Sequence, residues 1–484
     1  MEMTCNDTDP SLLRQKGCSN KNRMMKNQMK MNSSAGSDLT EGSIWKKLIL
    51  YFLPIAAGTL FQQLYNAVDA VIVSRFVGTE ALAAVGGSPA TLTQLIIGFF
   101  VALSSGAAVV IAQYFGSREQ EKITIAVRTS VLLCVVIGAV LTIVMLFCAD
   151  PVLRLLRTPE ETLMQAGVYM RIYFAGSIFL LVFNMGSGIL RAIGDSRRPF
   201  IYLVISCLSN IILDILFVVV FHWGVAGVAW ATTIAQGISF LLVLIKLLRT
   251  KEYYRLDLSS LKINMIILKR MLGIGIPSGI QSAMYGVSNI ILQVGVNSLG
   301  TVVVASWSMS GKLDGVYWAV SSAFGTAIMN FVAQNYGAGK MDRIRACAKT
   351  GFLLFLGGTV VISGLLLLLA KPLLHIFTTD QGVIETTWFI MLMFVPFYVL
   401  WTVVETFSGI LRGIGDAVKP TVITALGVCL LRIIWILTAF RISPTLMVLC
   451  ICYPLSWLVT DVALLIYYKK RSREGFASPG LKHI

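Results

Sequence analysis

Four oxygen-bearing side chains give the first indication of chemistry in this 484-residue chain: Asp69, Asn210, Asp214 and Thr232. All four lie in apolar stretches. An ionisable group at membrane depth costs roughly 2.5–3.5 kcal/mol on insertion scales, so each carboxylate needs an explanation. Asn210 and Asp214 are four residues apart and share one helix face, while Thr232 follows the small-residue approach Gly224-Val-Ala-Gly227. Counted from the ends of their apolar stretches at 1.5 Å per residue, Asp69, Asp214 and Thr232 all lie on the order of 10 Å below one surface. Two carboxylates, an amide and a hydroxyl suit a hard cation such as Na⁺, and two close carboxylates can equally hold a proton between them.

A second group of intramembrane charges follows in the later half: Lys312, Asp314, Glu405, Arg432 and Asp461. They either line a substrate cleft or lock one another in ion pairs. Glu405 is expected to face the cleft and attract cations, with pairing to Lys312 or Arg432 as the alternative. The aromatics Trp307, Tyr317, Trp318, Phe324 and Trp401 could make an adaptable apolar cavity, but such residues more often face lipid or pack, and they are assigned no site. His222, His375 and His483 fall on separate segments, so they assemble no zinc site, and the nine cysteines form no disulfide or metal framework. Walker A, H-E-x-x-H and G-x-S-x-G motifs are missing, which argues against an enzyme.

The elements that must position these residues are membrane spans. The chain is 56% hydrophobic and 13% charged, against roughly 25% charged in a soluble protein. Apolar runs long enough to cross a bilayer recur twelve times: 46–74, 81–113, 123–148, 163–190, 198–221, 224–248, 266–297, 302–335, 342–369, 384–411, 418–439 and 443–468. With the first 43 residues taken as a polar cytoplasmic tail, 32 of the 40 basic residues fall on or beside the inner segments. That bias places both termini in the cytoplasm. It also accounts for the net charge of +16 without nucleic acid, because the basic residues are spread over many short segments.

The halves repeat at an offset of 221 residues. Arg191-Ala-Ile-Gly-Asp195, followed by Pro199, returns as Arg412-Gly-Ile-Gly-Asp416, followed by Pro420; Ala112-Gln113 and Gly116 return as Ala333-Gln334 and Gly337. The Arg-x-x-Gly-Asp stretch reads as a turn with a helix cap, a gate being the other option. Six spans per repeat give both halves the same orientation. The expected fold is an all-α integral membrane protein: a cytoplasmic tail over 1–43, a six-helix lobe over 44–248, a linker over 249–265, a second lobe over 266–468 and a basic tail over 469–484. The lobes are related by a pseudo-twofold axis along the membrane normal, with a cleft between them.

Together, Phe61-Gln-Gln-Leu-Tyr-Asn-Ala-Val-Asp69, Leu190-Arg-Ala-Ile-Gly-Asp195, Asn210-Ile-Ile-Leu-Asp214, Gly224-Val-Ala-Gly227 through Ala231-Thr232, and Gln334-Asn-Tyr-Gly-Ala-Gly-Lys340 resemble the multidrug and toxic compound extrusion family. The resemblance covers nearly all of residues 40–470. It implies two six-helix lobes around a V-shaped cavity and export of cationic or amphipathic compounds by antiport with H⁺ or Na⁺, with no other cofactor. It further implies that Asp69, Asn210, Asp214 and Thr232 bind the coupling cation and that Pro54 marks a bend in the first helix. The partners expected are a small-molecule substrate and the lipid bilayer, for a monomer in the bacterial inner membrane. A flippase for a lipid-linked precursor shares the architecture and is the alternative.

Overall fold

Long apolar stretches with few helix breakers have one way to satisfy their backbone in lipid, which is to form continuous helices. The computed structural model describes residues 38–257 and 262–476, and its regular elements there are all helical. In chain order they are α1 Ile44–Val77, α2 Ala83–Gly116, α3 Gln120–Leu155, α4 Glu160–Ala175 with Ser177–Ala192, α5 Arg197–Val220 and α6 Gly224–Arg249. The second half supplies α7 Met265–Ser298, α8 Thr301–Gly337, α9 Met341–Phe377, α10 Gln381–Gly413, α11 Val418–Ile442 and α12 Leu446–Arg473.

These are the twelve expected spans, most of them with longer ends. α3 and α9 run on through Pro151 and Pro372, the repeat-related prolines, instead of stopping short of them. α4 bends by 48° at Gly176, whose missing side chain leaves room for the methyl of Thr233. Among the described residues ten helices are apolar and long enough to cross a bilayer, and the bent α4 makes eleven. α7 has the length, at 34 residues, but Lys269, Arg270, Gln281, Asn289, Gln293 and Asn297 dilute its apolar character.

The two lobes are joined at one end and separate at the other. A cluster around Ile72, Met145, Met170 and Val228 is built from the first half alone, and one around Leu292, Phe440 and Leu449 from the second half alone. Toward the face that carries both chain ends, the cores are mixed. Leu48, Tyr51 and Ile55 of α1 are buried among residues of α8 to α10, and Ile267, Met271 and Ile274 of α7 are buried among residues of α2 to α4. Each lobe therefore lends the first part of its first helix to the other lobe.

Glycines permit the closest approaches in this seam. Gly106 lies against the backbone of Gly275, and Gly279 against the ring of Phe99; small residues at such crossings let helix backbones touch. Beyond Gln63, which reaches Gly315, α1 exposes Leu64, Asn66, Ala67 and Val68. There the lobes have parted.

The 221-residue repeat is most literal where the seam closes. Gln113 Nε2 donates to the carbonyl of Gly413 at 2.9 Å, and its counterpart Gln334 Nε2 donates to the carbonyl of Ala192 at 2.8 Å. Ala192 and Gly413 end α4 and α10, where carbonyls lack a partner in their own helix. Each lobe therefore satisfies the orphan helix end of the other. Gly194 and Gly415 follow with φ of 89° and 93°, the left-handed turn that glycine makes without strain. The Arg-x-x-Gly-Asp stretch is thus a turn, and the same turn presents the carbonyl on which the seam closes.

The chain preceding α1 joins this closure. Leu39 N–H donates to Gln334 Oε1 at 3.0 Å, Lys340 Nζ to the Thr40 carbonyl at 2.9 Å, and Arg343 Nη1 to the Gly42 carbonyl at 2.9 Å. Within the expected 1–43 tail, residues 38–42 are thus pinned to the second lobe; residues 1–37 lie outside the described ones.

Candidate functional site

The four predicted oxygens converge from three helices. α5 ends its regular part at Asp214 and continues through a widened π turn over Ile215–Val220. A similar turn, Val73–Val77, begins four residues after Asp69 in α1. Such turns are frequent at functional sites because they displace the helix register without breaking it. Asp214 is fully buried, Asn210 is 1% exposed and Thr232 is 7% exposed.

With its amide oriented to satisfy both neighbours, Asn210 donates to Asp214 Oδ2 at 2.9 Å and accepts from the Thr232 backbone N–H at 3.2 Å. The carboxyls of Asp69 and Asp214 face each other within hydrogen-bonding reach. Two carboxylates can keep that contact only with a proton shared between them or a cation beside them. Asp69 Oδ1 and Asp214 Oδ1 have no hydrogen-bond partner. Two buried acceptors left open are costly unless something binds there.

The sequence reading missed the phenols that wall this site. Tyr65 reaches the Thr232 hydroxyl, Tyr169 and Tyr173 stack at 5.8 Å beside the carboxyls, and the Gln236 amide donates to the Tyr173 oxygen. The signal was helical spacing: Tyr65 precedes Asp69 by four residues, Tyr169 precedes Tyr173 by four and Gln236 follows Thr232 by four. A cavity of about 270 Å³ opens beside the site, lined by Tyr65, Asn184, Asn210 and Thr232 and closed on one side by Ser322 and Thr326 of α8. Pro54 lines the same cavity; α1 passes through it as continuous helix.

The five charged residues of the second lobe do not form one site. Arg432 is 5% exposed and lines a cavity of about 320 Å³. Asp314 is buried beside Ser310 and Tyr398, outside that lining. Asp461 is 4% exposed, and neither of its oxygens has a partner. Lys312 is exposed and enters none of the ion pairs among the described residues.

Glu405 corrects the expectation. It pairs with neither Lys312 nor Arg432 but with Arg412 at 3.9 Å, two turns along its own helix, and its carboxyl is pressed against Gly325 of α8. The reason is spacing, since residues i and i+7 share a helix face. Glu405→Gln should then lower stability by roughly 1–3 kcal/mol, because Arg412 is left partly buried without its counter-charge. Cationic and neutral substrates should lose affinity equally; a selective loss for the cation in paired binding and melting measurements would restore the cleft role.

A two-lobed helical bundle, with buried carboxyls facing each other beside a cavity in one lobe, defines a membrane transporter of the inverted or parallel repeat kind. The model of the MatE family matches residues 54–216 and 277–438, one block per repeat, and the chain belongs to that family. It is 27% identical over 391 residues to the "Probable multidrug resistance protein YoeA" of Bacillus subtilis, covering 79% of this chain and 84% of that protein. It is 23% identical over 439 residues to the multidrug export protein MepA of Staphylococcus aureus, covering 89% of this chain and 95% of that protein. Among solved structures, a MATE in complex with MaL6 superposes with a TM-score of 0.85 at 22% identity, over 91% of this chain and 99% of that one. The protein is a multi-pass membrane transporter of small molecules in the multidrug efflux class, and not an enzyme.

Proposed function

We propose that this transporter exports cationic or amphipathic small molecules by antiport with H⁺ or Na⁺, and that Asp69, Asn210, Asp214 and Thr232 hold the coupling ion. The observation that carries this reading is the facing carboxyl pair with its two unpartnered oxygens. Substrate in the neighbouring cavity and ion at the carboxyls compete for the two arrangements of the lobes, so binding of one favours release of the other. The coupling ion is the only cofactor required. We place the protein as a monomer in the inner membrane, and the distribution of basic residues supports both termini in the cytoplasm. A flippase for a lipid-linked precursor would call for a strongly basic cavity, and Arg191 is the one basic residue lining the first-lobe cavity.

The test is transport in proteoliposomes with Na⁺ and pH gradients imposed separately. One gradient alone should drive accumulation of a lipophilic cation. Accumulation that ignores both gradients would reject ion antiport.

A further inference from the structure

The second lobe has its own chamber, set apart from the carboxyl pair of the first. Its wall is aromatic: Tyr285 of α7, Trp318 of α8, Trp401 of α10, and Tyr453 and Trp457 of α12. The Trp318 and Trp401 rings meet edge-on at 5.2 Å, and Trp401 and Trp457 at 6.0 Å. The lone charge on the lining is Arg432. It is presented just after a widened π turn of α11, Ala425–Leu430, where Gly427 lets α11 settle on Thr460 of α12.

Arg432 is fixed at its stem and free at its fork. Its Nε donates to Ser456 Oγ at 3.0 Å, and the guanidinium carbon sits 3.9 Å from the centre of the Tyr453 ring. Among the described residues no carboxylate lies within 4 Å of it. Asp461, one turn beyond Trp457, is not part of the lining. The Trp457 indole N–H is likewise buried without a partner.

An aromatic box without a charge would favour a quaternary ammonium. This box already contains a cation held against its own ring, so a second cation would be repelled at short range. A planar anion gains twice: its ring stacks on the tryptophans, and its acidic group takes the charge-assisted, two-pronged hydrogen bonds that a guanidinium fork offers.

We propose that this chamber is a binding site for aromatic organic anions, with Arg432 holding the carboxylate or sulfonate and Trp318, Trp401 and Trp457 holding the ring. The inference rests on the export reading and adds to it a second substrate class, anionic where the first is cationic. It gives the transporter a carboxyl pair in the first lobe and a lone guanidinium on the wall of the second-lobe chamber.

The experiment compares naphthalene-2-sulfonate with 2-naphthyltrimethylammonium, which share a ring and differ in charge, by titration calorimetry on the purified full chain in detergent without any ion gradient. The sulfonate should bind, and the cation, which the first-lobe cavity also takes, serves as the control that does not depend on Arg432. Arg432→Gln should weaken the sulfonate by about tenfold or more and leave the cation unchanged or improved; Arg432→Lys, which keeps the charge but loses the fork, should fall between. Melting temperatures identify a variant that has not folded, and wild-type protein that binds no sulfonate rejects the site without any variant. Absence of sulfonate binding by the wild type, or sulfonate binding that survives Arg432→Gln, overturns the site. Wild-type protein that binds the sulfonate as expected but drives no ion-coupled transport supports the site and rejects the antiport reading, so the two failures are distinct.

Discussion

Replacing Asp214 with asparagine is expected to abolish gradient-driven accumulation while the protein still folds. One elementary charge moved across 100 mV supplies about 2.3 kcal/mol, which sustains a substrate ratio of about fiftyfold under tight coupling. Asparagine fills the same volume but neither exchanges a proton nor contributes charge to a cation, so the ratio should collapse to about one. Asp69→Asn should do the same, because the contact between the two carboxyls requires a shared proton or a nearby ion. Thermal stability should hold or rise in both variants, since a buried carboxyl with an unpartnered oxygen is removed. Tyr65→Phe, which removes only the hydroxyl that reaches Thr232, should have the smaller effect, about tenfold or less in rate. The measurement is uptake into proteoliposomes at fixed membrane potential, beside melting curves. Wild-type accumulation by Asp214→Asn would remove these residues from the coupling site.

The contrast between Asp214 and Glu405 shows what could be read from the chain before its fold. Asp214 was legible because three independent cues agreed: an ionisable residue in an apolar run, an amide one turn earlier, and a hydroxyl at matching depth on the next helix. Each cue concerns distance along a single helix or depth in the membrane, and both follow from counting residues. The twelve helices were legible for the same reason.

Glu405 was misread because its surroundings depend on rotation. Which way a side chain points is set by the neighbouring helix, and Gly325 of α8 is what admits its carboxyl. The enclosure made by the aromatic residues of the second lobe depends on rotation in the same way. Trp318, Trp401 and Trp457 come from three helices, and nothing in their spacing says that they enclose one space with Arg432. Pairings between lobes were legible only through the repeat, which marked Gln113 and Gln334 as equivalent before either had a visible partner.

That equivalence leads to the expectation for the closed end of the seam. Gly116 packs directly on the backbone carbonyl of Gln334, and Gly337 packs in the same way on that of Gln113. In each case an added methyl would overlap a backbone oxygen, and no rotamer change relieves such a contact because the obstacle is not a side chain. Gly116→Ala should therefore force α2 and α8 apart at the face bearing the chain ends, and Gly337→Ala should match it by the pseudo-twofold relation.

Separating the helices also breaks the crossed hydrogen bonds from Gln113 to Gly413 and from Gln334 to Ala192, returning two helix-end carbonyls to an unpaired state. Loss of the steric fit and of both bonds should shift the balance between lobe arrangements by several kcal/mol. A change of about 5.5 kcal/mol carries a two-state equilibrium from 99:1 to 1:99, so the double variant should populate mainly the arrangement opened at this face. Export should fall about a hundredfold. A cysteine placed at Ser322, on the wall of the first-lobe cavity, should gain reactivity toward an impermeant thiol reagent added at the face of the chain ends and lose it from the opposite face, in a background lacking the native cysteines.

Gln113→Leu leaves the glycine contact intact and removes one donor across the seam together with the acceptor of Arg270, so it should reduce export far less. That ordering separates a steric gate from a hydrogen-bonded one. Equal losses in Gln113→Leu and Gly116→Ala would mean that the bond holds the seam shut, and wild-type export by the double glycine variant would mean that this face never has to close so tightly for transport.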